Sequence, residues 1–431
     1  MFRQDAAPEP PSPHVMFRFA TLMLCAAPLL GGVPGGAAIA DGPERVRLGE
    51  GNLLHGVPGE GRLTVEQLRG WLADPANHRE LRPELPLGMN AGEADIQGLD
   101  AETLTRAKIE LGRQLFFDPR LSRDGTVSCA SCHAPEHGYA FPTRFGVGVA
   151  GKEGVRNSPT AANRILSAEQ LWDGRAASLE EQAIGPMANP LEMGFTHDAV
   201  VESLKKIPAY VAQFNAVFEG EGVTIDNAGR ALAAFVRVLV SGPNAWDVDD
   251  RLRVLRDAYA DEDPELAEEL AQLERTAVAR PLSVAAKRGA ELFFGARTGC
   301  TQCHAGANFS DEAYHNLGVG MESITDLRED IAIKQPLDWG RYEVTKDGAD
   351  RGAFKTPGLR NVAETGPFMH DGSLATLDEV VAWYVKGGQP NPFLSPLIEP
   401  LDLTAAEQAD LVAFLEALTG EWPEVEMGRL P

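Results

Sequence analysis

Cysteine and histidine are scarce in this sequence. Of its 431 residues, five are cysteine and nine are histidine. Cys25 lies in an apolar N-terminal segment, so four cysteines remain beyond it: Cys129, Cys132, Cys300 and Cys303. In an exported protein, four cysteines would ordinarily indicate disulfides. Their spacing, described below, argues for a different use.

Basic residues and long apolar runs are also in short supply. The chain has 39 lysines and arginines against 63 aspartates and glutamates, a formal net charge of −24 at pH 7. Nucleic acid and anionic membrane surfaces are therefore poor partners. A partner with a basic face fits better, although the charge could simply serve solubility. The apolar run from Ala20 to about Leu30 is shorter than the ~20 residues that span a bilayer, so we expect no membrane insertion.

The N-terminus has the order of a secretory signal peptide. A basic segment begins at Met16, the apolar run follows, and small residues then lead to Ala38 and Ala40. This arrangement predicts a cleaved signal peptide over residues 1–40, the first fifteen being a possible upstream extension. We therefore expect a periplasmic protein.

Two C-x-x-C-H segments use the remaining cysteines. The first ends at His133 and the second at His304. Two thiols that bond to one porphyrin edge, followed at once by an imidazole that ligates the iron, are the attachment signature of c-type haem. A zinc site or paired disulfides would not need a histidine directly after each pair, and a thioredoxin-like pair would lie in a βαβ context that is missing here. The spacing predicts two haems.

A helix precedes each haem segment, and the two helices resemble each other. Residues 108–117 and 287–294 have apolar side chains at helical spacing, and both end in Leu-Phe-Phe. Near the C-terminus, Thr404 and Glu407 form a capping box, with Gly420 as the expected stop. We therefore predict a mainly α fold with two cytochrome c-type haem domains in one chain.

The predicted domain boundaries follow from these segments. The first haem domain covers 96–250 and the second 281–431. Residues 251–280 are charged and read as a solvated helical linker. Residues 41–95, rich in Gly and Pro with one helical patch at 65–72, form an N-terminal extension.

The segments between the haem motifs resemble a known family. The shared motifs lie at 116–122, 156–160, 172–175, 181–193 and 359–372. In this order they are similar to the bacterial di-haem cytochrome c peroxidase and MauG superfamily, over about residues 105–420. The resemblance implies peroxidase activity at the first haem and electron transfer through the second.

The resemblance also implies roles for residues at the first haem. Trp172 matches the tryptophan between the two haems, which passes electrons or holes; standing alone it would read as a core residue. Glu192 matches the distal carboxylate over the peroxide-binding iron, where it would act as general acid and base. Gln182 and Pro186 match its neighbours in that pocket.

A calcium site between the domains is implied as well. Asn157, Thr365 and Pro367 match the positions that hold the ion in the family. Amide and carbonyl oxygens suit this hard cation.

Two positions separate the branches of the superfamily. Many di-haem peroxidases carry a capping histidine about 16 residues after the first motif, where this chain has Val149; His137 is too close to His133 to cross the haem. The first iron is thus expected to keep an open site. Where the peroxidases have a methionine ligand of the second iron, this chain has Tyr384, as MauG does. The fallback ligands are Met369 and His370.

Three functions remain open from the sequence. The first is a peroxidase that takes electrons from a small cytochrome c or cupredoxin. The second is MauG-like oxidation of residues in a partner protein, although Thr298 stands where MauG has its surface tryptophan. The third is a di-haem electron carrier, in which Glu192 and Gln182 would have no task.

Overall fold

Most of the regular structure is α-helix, as the sequence predicted. A computed structural model describes residues 42–51, 53–258, 263–321 and 337–431; the predicted signal peptide lies outside them. The helices are α1 (Val65–Leu72), α2 (Arg106–Phe117), α3 (Cys129–Cys132), α4 (Leu179–Ala188), α5 (His197–Lys205), α6 (Pro208–Val217), α7 (Ile225–Val238), α8 (Ala245–Ala258), α9 (Pro264–Ala279), α10 (Val284–Phe294), α11 (Tyr342–Thr345), α12 (Leu377–Val385) and α13 (Ala405–Ala417).

The strands are short and occur in two pairs. Strands β1 (Glu44–Arg47) and β2 (Leu81–Glu84) are parallel, with Glu44 opposite Leu81. Strands β3 (Tyr314–His315) and β4 (Phe354–Lys355) are antiparallel, with Tyr314 opposite Lys355. The first pair belongs to the N-terminal extension, whose Val46 joins the core around α2 and α7.

Two helix crossings organise the molecule, and they are built alike. Helix α2 packs on α7, and α10 packs on α13. A glycine makes each close approach possible: a Cβ at Gly112 would lie 1.9 Å from the Ala231 carbonyl oxygen, and a Cβ at Gly289 would lie 1.9 Å from that of Asp410. In both crossings a phenylalanine lies beside the glycine, four residues after the carbonyl in question: Phe235 after Ala231 and Phe414 after Asp410. The molecule therefore contains an internal repeat.

The repeat extends to one turn in each half, which lies between the haem segment and the last helix of that half. Asn163 and Asn361 both adopt left-handed φ values, 56° and 57°. The Asn163 amide donates to the Leu239 carbonyl at 2.8 Å, just after α7, and the Asn361 amide donates to that of Leu418 at 3.0 Å, just after α13. Each asparagine thus joins the middle of its repeat to the end of its last helix.

Each crossing has its own apolar core. The first core includes Leu111, Phe116 and Phe235, all less than 3% exposed. The second includes Phe293 and Phe414. Helix α13 begins with the predicted capping box. The Thr404 amide donates to the Glu407 carboxylate at 2.8 Å, and the Glu407 amide donates to the Thr404 hydroxyl. The helix ends at Ala417, three residues before Gly420.

Helices α8 and α9 form a hairpin between the two cores. Arg251 on α8 donates two hydrogen bonds to Glu269 on α9, at 2.7 and 2.9 Å. Leu252, Leu255 and Leu273 form an apolar seam inside it. The segment expected to be a solvated linker therefore has a small core of its own.

The region from Pro43 to Pro431 forms one compact unit. The boundaries at 95, 250 and 280 stay predictions. Among the described helices, none is long and apolar enough to cross a membrane.

Candidate active site

The first C-x-x-C-H segment presents its histidine in a fixed orientation. Cys129 and Cys132 bound the short helix α3, and His133 ends it. The His133 Nδ1 donates to the Tyr139 carbonyl oxygen at 3.1 Å. Tyr139 takes a left-handed φ of 59°, which turns its carbonyl toward the imidazole. Because Nδ1 is occupied as a donor, Nε2 is the nitrogen available as a metal ligand.

The second segment repeats this geometry. The His304 Nδ1 donates to the Phe309 carbonyl oxygen at 2.9 Å, and Phe309 also has a left-handed φ, 54°. Burial lowers the pKa of both imidazoles, mainly through loss of solvation. A neutral imidazole with a free Nε2 is the form that binds iron.

The four cysteines of the motifs are free thiols, so no disulfide competes for them. Burial raises the pKa of Cys129 to about 12 and that of Cys132 to about 11. The negative charge of Glu192 adds to the rise at both thiols. The Glu192 carboxylate therefore lies near the first haem segment.

A cavity of about 350 Å³ adjoins the second segment. Its volume falls within the range of small-molecule and cofactor sites. Cys300, Cys303 and His304 line it, together with Tyr384 on α12. Burial raises the pKa of the Tyr384 phenol, and the two cysteines add to the rise. The predicted tyrosine ligand thus shares a cavity with the predicted histidine ligand.

The repeat makes Pro186 the counterpart of Tyr384. Ser178 caps α4 and Thr376 caps α12, and each helix begins on the leucine that follows. Counting eight residues from each cap reaches Pro186 in α4 and Tyr384 in α12. The first repeat therefore has a ring without donor or acceptor where the second has a phenol.

Glu192 lies in the loop after α4. The Asn189 side-chain amide donates to its carboxylate at 2.6 Å. Burial raises the pKa of Glu192, while the positive charge of Arg175 and the Asn189 hydrogen bond lower it in part. Pro186 accepts from the amide of Met193 at 3.3 Å, so the loop folds back on α4. Gln182 lies one turn before Pro186, on the same face of the helix.

The loop at 146–149 closes against Glu192. The amide of Val149 donates to the Glu192 carbonyl at 2.8 Å, and the Val149 side chain is fully buried. A Cβ at Gly148 would lie 2.1 Å from the Leu191 carbonyl, so the approach needs glycine. The position of the family's capping histidine is therefore held by a packed aliphatic side chain.

Two turns with the same Asp-Gly sequence, after Trp172 and after His370, each accept a hydrogen bond from the other half of the repeat. The Lys355 amide donates to the Trp172 carbonyl, and the Asn157 amide donates to the His370 carbonyl, both at 2.8 Å. Trp172 Nε1 donates to the Asn157 carbonyl at 2.9 Å, and Trp172 lines the second cavity. The main chain of Pro159, two residues further on, acts on His133. Trp172 thus borders the second cavity and is hydrogen-bonded to the chain segment that reaches His133.

Comparisons with known proteins agree with this geometry. Residues 106–251 match the family model described as di-haem cytochrome c peroxidase. The chain is 38% identical over 332 residues to methylamine utilization protein MauG of Methylorubrum extorquens, covering 77% of this chain and 83% of that one. The chain belongs to the di-haem cytochrome c peroxidase and MauG family. It is thus an oxidoreductase of the peroxidase type.

Other relatives come from both branches of the family. Cytochrome c551 peroxidase of Nitrosomonas europaea is 34% identical over 345 residues, which is 80% of this chain and 90% of that one. The crystal structure of a MauG-like protein associated with microbial copper homeostasis matches with a TM-score of 0.61 and 30% identity, covering 75% of this chain and 92% of the other.

Family membership implies two c-type haems, and the described residues fit them. Each haem segment offers two free thiols and one imidazole with Nε2 available. The half-buried Arg164 also lines the second cavity, where burial lowers its pKa. A cation in that place suits the propionates that a haem carries.

The predicted calcium residues Asn157, Thr365 and Pro367 all line the second cavity. The Asn157 side-chain amide donates to the Arg144 carbonyl at 3.3 Å. The ion itself stays a prediction.

Two functional features escaped the sequence analysis. One is the equivalence of Pro186 and Tyr384, signalled by the Asp-Gly pairs at 173–174 and 371–372, each followed five residues after the aspartate by a capping Ser or Thr. The other is the need for glycine at Gly148, for which the sequence gives no local signal.

Proposed function

We propose that the chain is a periplasmic peroxidase that reduces hydrogen peroxide at a haem on segment 129–133 and relays electrons through a second haem on segment 300–304. Each haem belongs to its own cytochrome c-type domain, 96–250 and 281–431. When bound, the two irons supply the redox chemistry. The observation that carries the proposal is the asymmetry of the repeat: Pro186 stands where the other half has Tyr384, so this position offers no iron ligand in the first half.

Glu192 is the proton carrier of this site. Its carboxylate acts electrostatically on both thiols of the first segment, and Asn189 holds it at 2.6 Å. A carboxylate with a pKa raised by burial would accept a proton from one oxygen of hydrogen peroxide and return it to the other. The family resemblance puts Gln182 and Pro186 beside Glu192, where the proline ring would keep the space apolar.

Tyr384 would be the second protein ligand of the iron that His304 binds. Its phenol is buried in the cavity that His304 lines. The alternative ligand His370 lines the same cavity, where its ring stacks on Phe354 with centroids 3.5 Å apart. An anionic oxygen ligand stabilises the oxidised iron, so Tyr384 lowers the potential of this haem.

Trp172 carries electrons between the two sites. Its indole is held by the Asn157 carbonyl and borders the second cavity, and the same strand of chain continues to Pro159 beside His133. Asn157, Thr365 and Pro367 would hold one calcium ion at this junction.

The electron donor is a protein. A small cytochrome c or cupredoxin with a basic face suits the net charge of −24. The tyrosine ligand and the buried Val149 in place of a capping histidine favour, as a second candidate, MauG-like oxidation of residues in a partner protein. A simple electron carrier would give Glu192 no task.

Replacing Glu192 with glutamine tests this function. Glu192→Gln removes the proton carrier while keeping the shape of the side chain, so peroxide-driven oxidation should slow by ~10²-fold or more, with both haems still attached. Stopped-flow absorption after one equivalent of peroxide measures the rate. The matched control is Glu153→Gln in the neighbouring loop, where the carboxylate is exposed. A Glu192→Gln rate equal to that of the control would contradict the assignment.

A further inference from the structure

The segment after α13 runs back across the first half of the molecule. The amide of Gly242 donates to the Glu421 carbonyl at 2.8 Å, and the amide of Glu426 donates to the Leu54 carbonyl at 3.3 Å. These bonds hold Trp422 against the first core. A residue from the C-terminal end of the second predicted haem domain is therefore part of the surroundings of the first haem segment.

Trp422 contacts the residue that orients His133. The rings of Trp422 and Tyr139 meet edge to face, with centroids 5.4 Å apart and an interplanar angle of 73°. The Tyr139 carbonyl accepts the hydrogen bond from His133 Nδ1. One buried ring and one hydrogen bond thus connect the half-buried indole to the proximal imidazole. This route does not pass through Trp172 or the second haem segment.

The side chains of Trp422 and Tyr139 differ in whether a hydrogen-bond acceptor lies beside them to receive a proton. Trp422 Nε1 donates to the exposed Glu364 carboxylate at 2.6 Å. The Tyr139 phenol is 1% exposed, and among the described residues its oxygen has no hydrogen-bond partner. A ring that loses an electron must also lose its proton or leave a positive charge in the core, which is costly without a partner. Oxidation is therefore favoured at Trp422, and Tyr139 acts as a bridge.

We propose that Trp422 is a one-electron donor to the haem at His133 and a second entry point for electrons from outside, separate from the relay through the second haem. The inference rests on the proposed peroxidase function, in which peroxide is the oxidant. Trp422 gives one electron to the oxidised haem site through Tyr139, and its Nε1 proton passes to Glu364. The neutral indole radical is then reduced by one electron from an external donor, and the proton returns. Tyr139 and Glu364 are positioning residues in this step.

The test is made on the haem-loaded enzyme with one equivalent of hydrogen peroxide and no donor. Rapid-freeze EPR should show an organic radical whose line narrows in protein grown with ring-deuterated tryptophan. Peptide mass spectrometry after repeated peroxide additions should find oxygen added at Trp422. Trp71 is the internal reference, because it is similarly half-buried but packs in a separate cluster with Val57 and Leu63. Equal oxidation of both tryptophans would overturn the proposal.

Three variants separate the roles of the residues. Trp422→Phe should abolish the tryptophan radical, while Trp71→Phe, the control, leaves it unchanged. Glu364→Gln weakens the proton acceptor and should lower the rate of radical formation about tenfold. Tyr139→Phe should retain the radical, since the phenol takes no part.

The outcomes distinguish this inference from the function on which it rests. If peroxide changes the absorption of neither haem, the peroxidase proposal and this one both fall. If the haems respond but deuterated tryptophan leaves the radical unchanged, or the radical persists in Trp422→Phe, only the role of Trp422 is refuted.

Discussion

The crossing of α10 and α13 predicts a specific cost for adding one methyl group. Gly289→Ala would place Cβ 1.9 Å from the Asp410 carbonyl, a backbone atom that cannot rotate away. The helices must separate by about 1 Å, and such overpacking costs up to ~3 kcal/mol. Alanine regains about 1 kcal/mol of helix propensity. The free energy of unfolding should therefore fall by about 2 kcal/mol.

Urea unfolding followed by circular dichroism measures this change. The matched control is Gly70→Ala in α1, where an added Cβ meets nothing within 4 Å. There the propensity gain is unopposed, and stability should rise by about 0.5–1 kcal/mol. Equal stability changes in the two variants would refute the claim that close contact of the backbones holds this crossing together.

Two further predictions concern the sites. Asn189→Ala removes a hydrogen bond that lowers the pKa of Glu192, so that pKa should rise further. The acid limb of the pH–rate profile with peroxide, which should lie above the ordinary carboxyl pKa of 4.5, should therefore move to higher pH. An unmoved limb would contradict the role of Glu192 as base. Tyr384→Met replaces an anionic oxygen with a thioether, which favours the reduced iron. Spectroelectrochemical titration should find a higher potential for the second haem, and an unchanged one would exclude Tyr384 as ligand.

Features that depend on residues close together in the sequence could be predicted from it. The haem segments depend on five consecutive residues, and the helix at 65–72 on a local apolar pattern; α1 spans Val65–Leu72 as predicted. The helices that end at Phe117 and Phe294 were found in the same way. Short-range periodicity and capping chemistry are sufficient for such elements.

Features that depend on contacts between residues far apart in the sequence could not be predicted. Gly112 meets Ala231 and Trp422 meets Tyr139 only after the chain has folded, and no local pattern pairs them. The hairpin of α8 and α9 was read as solvated because its charged residues outnumber the three leucines of its seam. The family resemblance implies roles for Glu192 and Trp172, whereas the equivalence of Pro186 and Tyr384 depends on the helix caps at Ser178 and Thr376.

We expect the first haem to keep an open site and the second to be fully ligated. EPR of the purified ferric protein, before and after one equivalent of hydrogen peroxide, tests it directly. One high-spin and one low-spin haem, both responding quickly to peroxide, is the predicted result, since Pro186 offers no ligand and Tyr384 does. Two low-spin haems with no response to peroxide would contradict the account.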